Sequence, residues 1–323
     1  MTRPRSELIC IEDTPYYHLT SRCVRRTFLC GFDKETGKDY EHRRGWIENR
    51  IRILSSLFGI DICSYAVMSN HIHIVCQLCP EQIGVLSDRE IVFRWRSLYK
   101  GSLLVQKWAN NETLIEAEQN LINAAIAEYR QRLSSISWFM KCLNEPIARE
   151  ANKEDGCTGH FWEARYKSQS LLSEKALLSC MSYVDLNPIR SKMATTPETS
   201  KHTSIKERIN PSFNLETAIE EQKELKALRY FQTPLKPLSQ FVASANSPLE
   251  KGILFSLTDY LELVDYTGRA IVPGKRGTIK INLPPILKRL CLDRKNWIQL
   301  STEFERLYRA RLIFQQLKFD KTG

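Results

Sequence analysis

The sequence predicts an α+β fold in which helices flank an antiparallel sheet. Segments rich in β-branched and aromatic residues predict strands at 15–24, 60–69, 71–78 and 160–172. Apolar residues at helical spacing predict helices at 40–58, 134–151 and 174–187. The order along the chain is therefore strand, helix, strand, strand, helix, strand, helix. Because only Asn70 separates the second strand from the third, these two strands should form an antiparallel hairpin.

Local signals mark the ends of the predicted helices. Gly59 is predicted to end the first helix, because glycine is common just after helix C-termini. Ser173 can cap the last helix, and Glu174 favours its first turn, where the positive end of the helix dipole lies. That helix should end near Asn187 and Pro188, since proline disrupts a helix interior.

The chain is predicted to comprise a core, a linker and a C-terminal region. The core spans 1–193 and includes a more polar helical insertion at about 86–133. The polar stretch 194–215 contains two prolines and is predicted to be the linker. Residues 216–323 form a basic, mostly helical C-terminal region. The helices predicted within it are 216–231 and 295–317.

The charge distribution indicates a polyanionic partner. The chain has 323 residues, with 47 basic against 37 acidic side chains and a net charge of +10. Residues 1–200 carry a net charge of +2 and residues 201–323 carry +8, so we expect a nearly neutral body with a basic appendage. A composition of 42% hydrophobic and 26% charged residues excludes fibrous and wholly disordered classes.

The sequence shows neither a membrane-spanning segment nor a secretion signal. It contains no run of about 18 apolar residues. The N-terminal string MTRPRSELICIEDTPYY also lacks an apolar stretch. We therefore expect a cytoplasmic protein whose ten cysteines are reduced thiols.

The first chemical feature is the triplet His71-Ile72-His73 inside a predicted strand. Side chains alternate along a strand, so both imidazoles should project from one face and Ile72 from the other. Two imidazoles at this spacing can hold one divalent metal ion. The alternative is a pair of surface histidines without a ligand.

Cys76 and Cys79 offer a competing zinc module with the two histidines. Strand alternation argues against it, because residues 71, 73 and 75 share a face and Cys76 projects from the other. Two buried or half-buried thiols are the simpler interpretation.

The second feature is the string SYVDLNPIR at 182–190. In a helix, Tyr183 and Asn187 form an i, i+4 pair on one face, so a hydroxyl and an amide would point together. The alternative is a buried tyrosine followed by an asparagine that caps the helix.

The third feature is the predicted strand His160–Ser170, in which aromatic residues alternate with Arg165 and Lys167. Cations beside aromatic rings suit phosphates and unstacked bases. The alternative is an amphipathic strand with a solvated basic face.

Four blocks in order carry a family resemblance. They are YYHLTSR (16–22), YAVMSNHIHIV (65–75), GHFWEARYKS (159–168) and SYVDLNPIRS (182–191). With them the sequence resembles the REP-associated tyrosine transposases, in the single-tyrosine branch of the HUH endonucleases. The string DYLELVDYTGR (259–269) also looks like the extension of longer members.

The resemblance implies a fold and an activity. The implied fold is an RRM-like (ferredoxin-like) antiparallel sheet with helices, the HUH endonuclease core. The implied activity is that of a metal-dependent single-stranded DNA endonuclease and strand-transferase, a transposase that works through a 5′-phosphotyrosine. The alternative is a non-catalytic DNA hairpin-binding protein derived from such an enzyme.

The resemblance also implies roles for residues of this chain. His71 and His73 would be ligands of Mg²⁺ or Mn²⁺, and Tyr183 would be the nucleophile. A third ligand is expected, and we infer Asn187 because it lies one helical turn after Tyr183 and an amide oxygen suits these metals. Asp185 is the second candidate ligand.

Three further residues in these blocks receive less weight. A structural role is expected for His18, rather than metal ligation. Tyr166 is a weaker candidate nucleophile than Tyr183, because its basic neighbours look suited to holding phosphate. His160 is one guess for a general base, beside a water on the metal.

The implied substrate is single-stranded DNA next to a hairpin from a short palindromic repeat. Basic residues would contact its backbone, and unpaired bases would be read for sequence. The candidates for backbone contacts are Arg22, Arg25, Arg26, Arg165 and Lys167. No membrane partner is expected, and a homodimer is possible if the tyrosine helix is exchanged between subunits. The basic C-terminal region should be an accessory to DNA binding and not part of the chemistry.

Overall fold

The centre of the protein is a four-stranded antiparallel sheet flanked by helices, so the predicted α+β class is confirmed. The computed structural model describes residues 9–24, 29–33, 37–222, 231–242 and 252–290. The strands are β1 (Tyr16–Arg22), β2 (Ile60–Val67), β3 (His71–Leu78) and β4 (Lys167–Ser170). Their spatial order is β2-β3-β1-β4, and β2 and β3 form the predicted hairpin.

The strand register brings polar residues of three strands into one row. Thr20 of β1 lies opposite His73 of β3 on one side and Lys167 of β4 on the other. Two residues further along β1, in the next row on the same face, Arg22 lies opposite His71. Directly opposed residues share a face of the sheet, so these two rows define a polar patch on one face.

The opposite face packs against helices α1 (Arg43–Leu57) and α6 (Ile136–Glu154). The helix α1 ends two residues before Gly59, as the sequence predicts. A side chain at Gly59 would place Cβ 2.6 Å from the carbonyl oxygen of Cys79. Glycine is therefore required there by the close approach of two backbones.

The segment predicted to be a helical insertion contains three helices. They are α3 (Asp88–Arg96), α4 (Leu103–Ala109) and α5 (Glu116–Leu133), and the short helix α2 (Pro80–Gly84) precedes them. Ser87 begins α3 with a capping box, in which its side chain accepts from the Glu90 amide and Glu90 accepts from the Ser87 amide. Apolar residues of these helices extend the core that covers α1 and α6.

Helix α7 (Glu174–Arg190) lies on the other face of the sheet, in a hydrophobic cluster with Ala66 and Val75. Ser173 caps it, as predicted, by accepting from the Ala176 amide. The predicted end near Pro188 is wrong, because the helix continues to Arg190. Proline forfeits only one backbone hydrogen bond here, and both the amide and the hydroxyl of Ser191 donate to the Asn187 carbonyl.

The predicted strand at 160–172 is largely wrong, because only Lys167–Ser170 is a strand. Before it, the chain makes one isolated bridge between Cys23 and Trp162. Phe161 and Tyr166 are five positions apart, so a regular strand would send them to opposite faces. Both are instead buried in the same core cluster beside α6, which requires an irregular loop.

The remaining described helices pack onto the two faces. Helix α8 (Ser204–Ile209) contacts β2, and α9 (Leu215–Glu221) contacts α1. Helices α10 (Leu257–Arg269) and α11 (Ile286–Arg289) extend the cluster around α7. Within the range 216–231, where a helix is predicted, α9 covers the described residues up to Glu221, and 223–230 lie outside the described residues. The helix predicted at 295–317 also lies outside them. None of the described helices has the length and apolarity needed to cross a membrane.

Candidate functional site

Three imidazoles cluster on the polar patch of the sheet. His71 and His73 project from the same face of β3, as the sequence predicts, and their ring centroids are 4.7 Å apart. His18 of β1 stacks on His73 with centroids 5.1 Å apart, and its Nε2 lies 2.9 Å from Nδ1 of His73. The Thr20 hydroxyl lies 3.3 Å from the same Nδ1. Alternation along two neighbouring strands therefore builds the cluster.

Tyr183 faces this cluster from helix α7. Its ring stands edge-on to His73 at 5.6 Å between centroids and to His18 at 6.3 Å. Its side chain is 47% exposed. The alternative of a buried tyrosine is therefore wrong, and a substrate in solvent can approach the phenol.

Asn187 lies one turn after Tyr183 on the same helix, within α7 and not at its cap. Its side chain is 7% exposed, and its Nδ2 is buried without a hydrogen-bond partner among the described residues. Rotating the amide by half a turn would place an oxygen where the nitrogen now lies. The amide of Asn187 is therefore available for a ligand.

The histidines present neutral, uncommitted nitrogens. Burial lowers the pKa of His71 to about 4, with Arg22 and Lys275 adding to the effect. Burial lowers the pKa of His73 to about 2, with His71 and His18 as the next causes. His71 Nδ1 bonds the Asn70 amide oxygen, and Nε2 of His73 is buried without a partner in the described part of the chain. Both rings can therefore offer Nε2 to a cation.

Within this donor set, the amide oxygen of Asn187 is the donor that suits Mg²⁺ or Mn²⁺ better than zinc. Two imidazoles and one amide oxygen leave coordination positions for water and phosphate, as these metals prefer. The residues described contain no group of three or more His, Cys, Asp or Glu side chains placed to hold a metal ion. A site of the proposed kind therefore depends on the amide of Asn187 and on oxygens of the substrate.

Asp185, the second candidate for the third ligand, is committed elsewhere. It is fully buried, and its Oδ2 accepts from the Tyr260 hydroxyl at 2.6 Å. Its Oδ1 accepts from the hydroxyls of Ser204 and Ser64, at 2.7 and 3.2 Å. Burial raises the pKa of this carboxyl, and these hydrogen bonds counteract the effect. Asp185 therefore holds α7 in place through buried hydrogen bonds to its neighbours.

The two cysteines of the competing zinc module do not join the histidines. Cys76 is buried in the core on the α1 side of the sheet, whereas His73 faces α7. Cys79 is also buried, and its thiol lies 3.5 Å from a carboxylate oxygen of Asp61. Burial raises the pKa of both thiols, which favours the protonated form over a metal-binding thiolate. The geometry therefore argues against this module.

The predicted DNA-binding residues occupy different places. Arg22 and Lys167 are exposed on the same rows as the histidines. Arg165 is exposed in the loop before β4. Arg25 and Arg26 lie outside the described residues.

Tyr166 and His160 lie away from the histidine cluster. The Tyr166 side chain is buried, and its hydroxyl is 3.0 Å from that of Ser137 on α6. His160 is exposed in the loop that lines a groove against α6. The geometry therefore offers neither residue as the partner of the two metal-binding candidates.

The sequence patterns did not predict the positions of His18 and Lys275 relative to this site. A structural role was expected for His18, and its contact with His73 agrees with that role, but its position beside Tyr183 was not predicted. The strand alternation that pairs His71 with His73 also puts His18 and Thr20 on one face of β1, but the register between the two strands was needed to join them. No local signal linked Lys275 to a site about 200 residues earlier.

Comparison with known proteins gives one weak structural match. No family model matches the chain, and no curated protein matches it. The chain is similar to a solved structure described as "Structure of the REP associates tyrosine transposase bound to a REP hairpin". The match covers 67% of this chain and 90% of that chain, with 10% identity and a TM-score of 0.33.

Proposed function

We propose that this protein is a metal-dependent single-stranded DNA endonuclease and strand-transferase with Tyr183 as its nucleophile. One observation carries the proposal. An exposed tyrosine on α7 stands edge-on to His73, on the face of the sheet where His71 and His73 both project. A tyrosine beside two neutral imidazoles supplies both a nucleophile and ligands for a phosphate-activating cation.

The topology supports an RRM-like core for this site. The strand order β2-β3-β1-β4, all antiparallel, is the order of a ferredoxin-like sheet. In that arrangement β1 and β3 are the two central strands, and they carry His18, His71 and His73. Central strands are held on both sides, which suits residues that must keep a fixed geometry.

The metal would be held by Nε2 of His71, Nε2 of His73 and the amide oxygen of Asn187. When bound, a divalent cation neutralises a non-bridging oxygen of the scissile phosphate and orients that phosphate. His18 accepts a hydrogen bond from Nδ1–H of His73 in the tautomer that leaves Nε2 free as a ligand. The Asn70 side chain does the same for His71.

The tyrosine supplies the covalent step. Its phenolic oxygen attacks the phosphorus in line and loses its proton as the new bond forms. The bond from phosphorus to the 3′ oxygen breaks, and that oxygen takes up a proton and leaves as a 3′ hydroxyl. The product is a 5′-phosphotyrosine, from which another 3′ hydroxyl can displace Tyr183 and join two strands. The exchange conserves the number of phosphodiester bonds, so no nucleotide energy source is required.

We propose single-stranded DNA flanking hairpins of palindromic repeats as the substrate. Arg22 on β1 and Lys167 on β4 both lie on the polar patch, on the side of the β3 histidines that is nearer β4, so a strand that crosses the patch in that direction would meet two cations. Arg165, which is exposed in the loop just before β4, adds a third cation near Lys167 in the chain. Phosphate contacts of this kind position a strand and leave its bases free for readout.

Covalent trapping tests the proposal and its metal dependence. A pool of DNA hairpins with randomised single-stranded flanks is labelled at the 3′ end, because a 5′-phosphotyrosine keeps the downstream fragment. With Mg²⁺ or Mn²⁺ the label should migrate with the protein on a denaturing gel, and chelation should abolish this signal. Hairpin binding without any adduct in either metal would instead favour the non-catalytic hairpin-binding protein.

Replacing His18 with Ala should weaken metal binding although His18 is not a ligand in this proposal. The change removes the acceptor for Nδ1–H of His73, so the ring loses its fixed tautomer and orientation. Outer partners of this type are worth about 10- to 100-fold in metal affinity. Calorimetric titration with Mn²⁺ alone measures the effect, and His18→Gln should restore part of it because its amide oxygen can accept. Equal Mn²⁺ affinity in wild type and His18→Ala would contradict the role given to His18.

A further inference from the structure

A C-terminal segment crosses the end of the tyrosine helix. We name residues 271–280 the strap; it follows α10 and turns back over the last turn of α7. The amides of Arg276 and Gly277 donate to the Arg190 carbonyl at 3.1 and 3.2 Å. The Ile279 amide donates to the Gly268 carbonyl at 3.0 Å, which fixes the other end of the strap on α10.

Arg190 joins α7 to the end of α10, where the strap begins, and its guanidinium also lies 3.5 Å from the Gly277 carbonyl of the strap. It lies one turn after Asn187, and its guanidinium donates to the carbonyls of Thr267 and Ala270 at 2.7 and 2.6 Å. At Gly277 the approach is so close that a side chain would place Cβ 2.0 Å from the Ile189 carbonyl oxygen. Only glycine fits there, so the backbone of the strap lies directly against the backbone of α7.

The strap places Lys275 next to Arg276, whose amide bonds the Arg190 carbonyl about one turn after Asn187. Gly274 has a φ of +75°, and the Lys275 amide donates to the Val272 carbonyl, so the lysine sits at a tight turn. Its side chain is exposed and makes no ion pair with any described residue. Its charge acts on both His71 and His73, together with that of Arg22, and contributes to the lowered pKa of each ring.

Two exposed cations near the candidate metal site make it attractive to an anion. Arg22 from β1 and Lys275 from the strap both act on His71, although about 250 residues separate them in sequence. Like charges repel a bound divalent ion, so this arrangement disfavours metal binding in the empty site. A bound DNA strand favours metal binding instead, because its phosphates carry negative charge that attracts both the two cations and the metal ion.

We propose that Lys275 binds a backbone phosphate of the DNA strand held at His71, His73 and Tyr183, so that the strap forms one wall of the active site. This inference rests on the proposed function. It assigns the strap, which lies within the predicted C-terminal region, to the site itself, where the sequence predicts an accessory to DNA binding. The phosphate is one that neighbours the scissile phosphate, since the strap lies over the same end of α7 as Asn187.

Salt-dependent DNA binding tests the contact. Affinities of wild type, Lys275→Ala and Lys280→Ala for a fluorescein-labelled hairpin with a single-stranded flank are measured at several salt concentrations without metal. Loss of one phosphate contact on a single strand reduces the slope of log affinity against log salt by about 0.7. We expect this change for Lys275→Ala, and restoration in Lys275→Arg. Lys280 is exposed on the same strap but does not act on the histidines, so Lys280→Ala should match wild type.

The outcomes separate this inference from the proposed function. If wild type forms the covalent adduct and Lys275→Ala keeps the wild-type slope, the inference is overturned and the function stands. An equal loss of slope in Lys280→Ala also overturns it, because the strap would then contribute only diffuse charge. If wild type forms no adduct but Lys275→Ala loses slope and Lys280→Ala does not, the phosphate contact stands and the nuclease function fails.

Discussion

Replacing Tyr183 with Phe should abolish the covalent protein–DNA adduct and leave hairpin affinity unchanged. The substitution keeps the ring that stands edge-on to His73 and removes only the oxygen that would attack phosphorus. Since the side chain is 47% exposed, the change should not disturb packing of α7. Removal of a nucleophile costs about 10⁴-fold or more in rate. Denaturing gels with 3′-labelled hairpins measure the adduct, and anisotropy of the same DNA measures affinity.

Two other tyrosines supply matched controls. Tyr266 of α10 is 77% exposed, so Tyr266→Phe tests whether any surface tyrosine traps DNA. Tyr166 is buried with its hydroxyl bonded to Ser137, and Tyr166→Phe should keep the adduct. An adduct that survives in Tyr183→Phe but disappears in Tyr166→Phe would move the nucleophile to Tyr166.

Local patterns predicted the elements of the site because each depends on the period of one element. Alternation along β3 was sufficient to place His71 and His73 on one face. Helical spacing was sufficient to put Tyr183 and Asn187 one turn apart. The same alternation correctly separated Cys76 from the histidines, since its side chain joins the opposite core.

The features that local patterns did not predict depend on contacts between distant segments. The register of β1 on β3 places His18 against His73, and no pattern within either strand specifies that register. The predicted strand gives way to a loop before β4 because Phe161 and Tyr166 both pack into the core beside α6. This packing depends on the whole core and not on the local sequence. The strap reaches α7 through backbone hydrogen bonds to Arg190, and apart from the glycine at 277 these bonds require no particular side chain.

Replacing Asp185 with Ala should lower the free energy of unfolding by about 3 kcal/mol. This buried carboxylate joins three segments, because it accepts from Ser64 of β2, Ser204 of α8 and Tyr260 of α10. Its removal leaves three buried hydroxyls without their acceptor, and an unsatisfied buried group costs about 1–3 kcal/mol. The three losses are not additive, since hydroxyls can rotate towards other acceptors. Urea denaturation monitored by circular dichroism measures the difference.

Tyr260→Phe is the matched variant, since it removes one donor and preserves the shape of the ring. It should lower the free energy of unfolding by only about 1 kcal/mol, the usual value of one hydrogen bond. The double variant should lose less than the sum of the single losses, because both changes remove the same contact. A loss below about 1 kcal/mol in Asp185→Ala would contradict the network.

Asp185 lies two residues from Tyr183 and accepts a hydrogen bond from Tyr260 of α10. If this network stabilises the fold, removing the residues after 215 should also destabilise the helix that carries the nucleophile. The C-terminal region would then support the chemistry of the site as well as the binding of DNA.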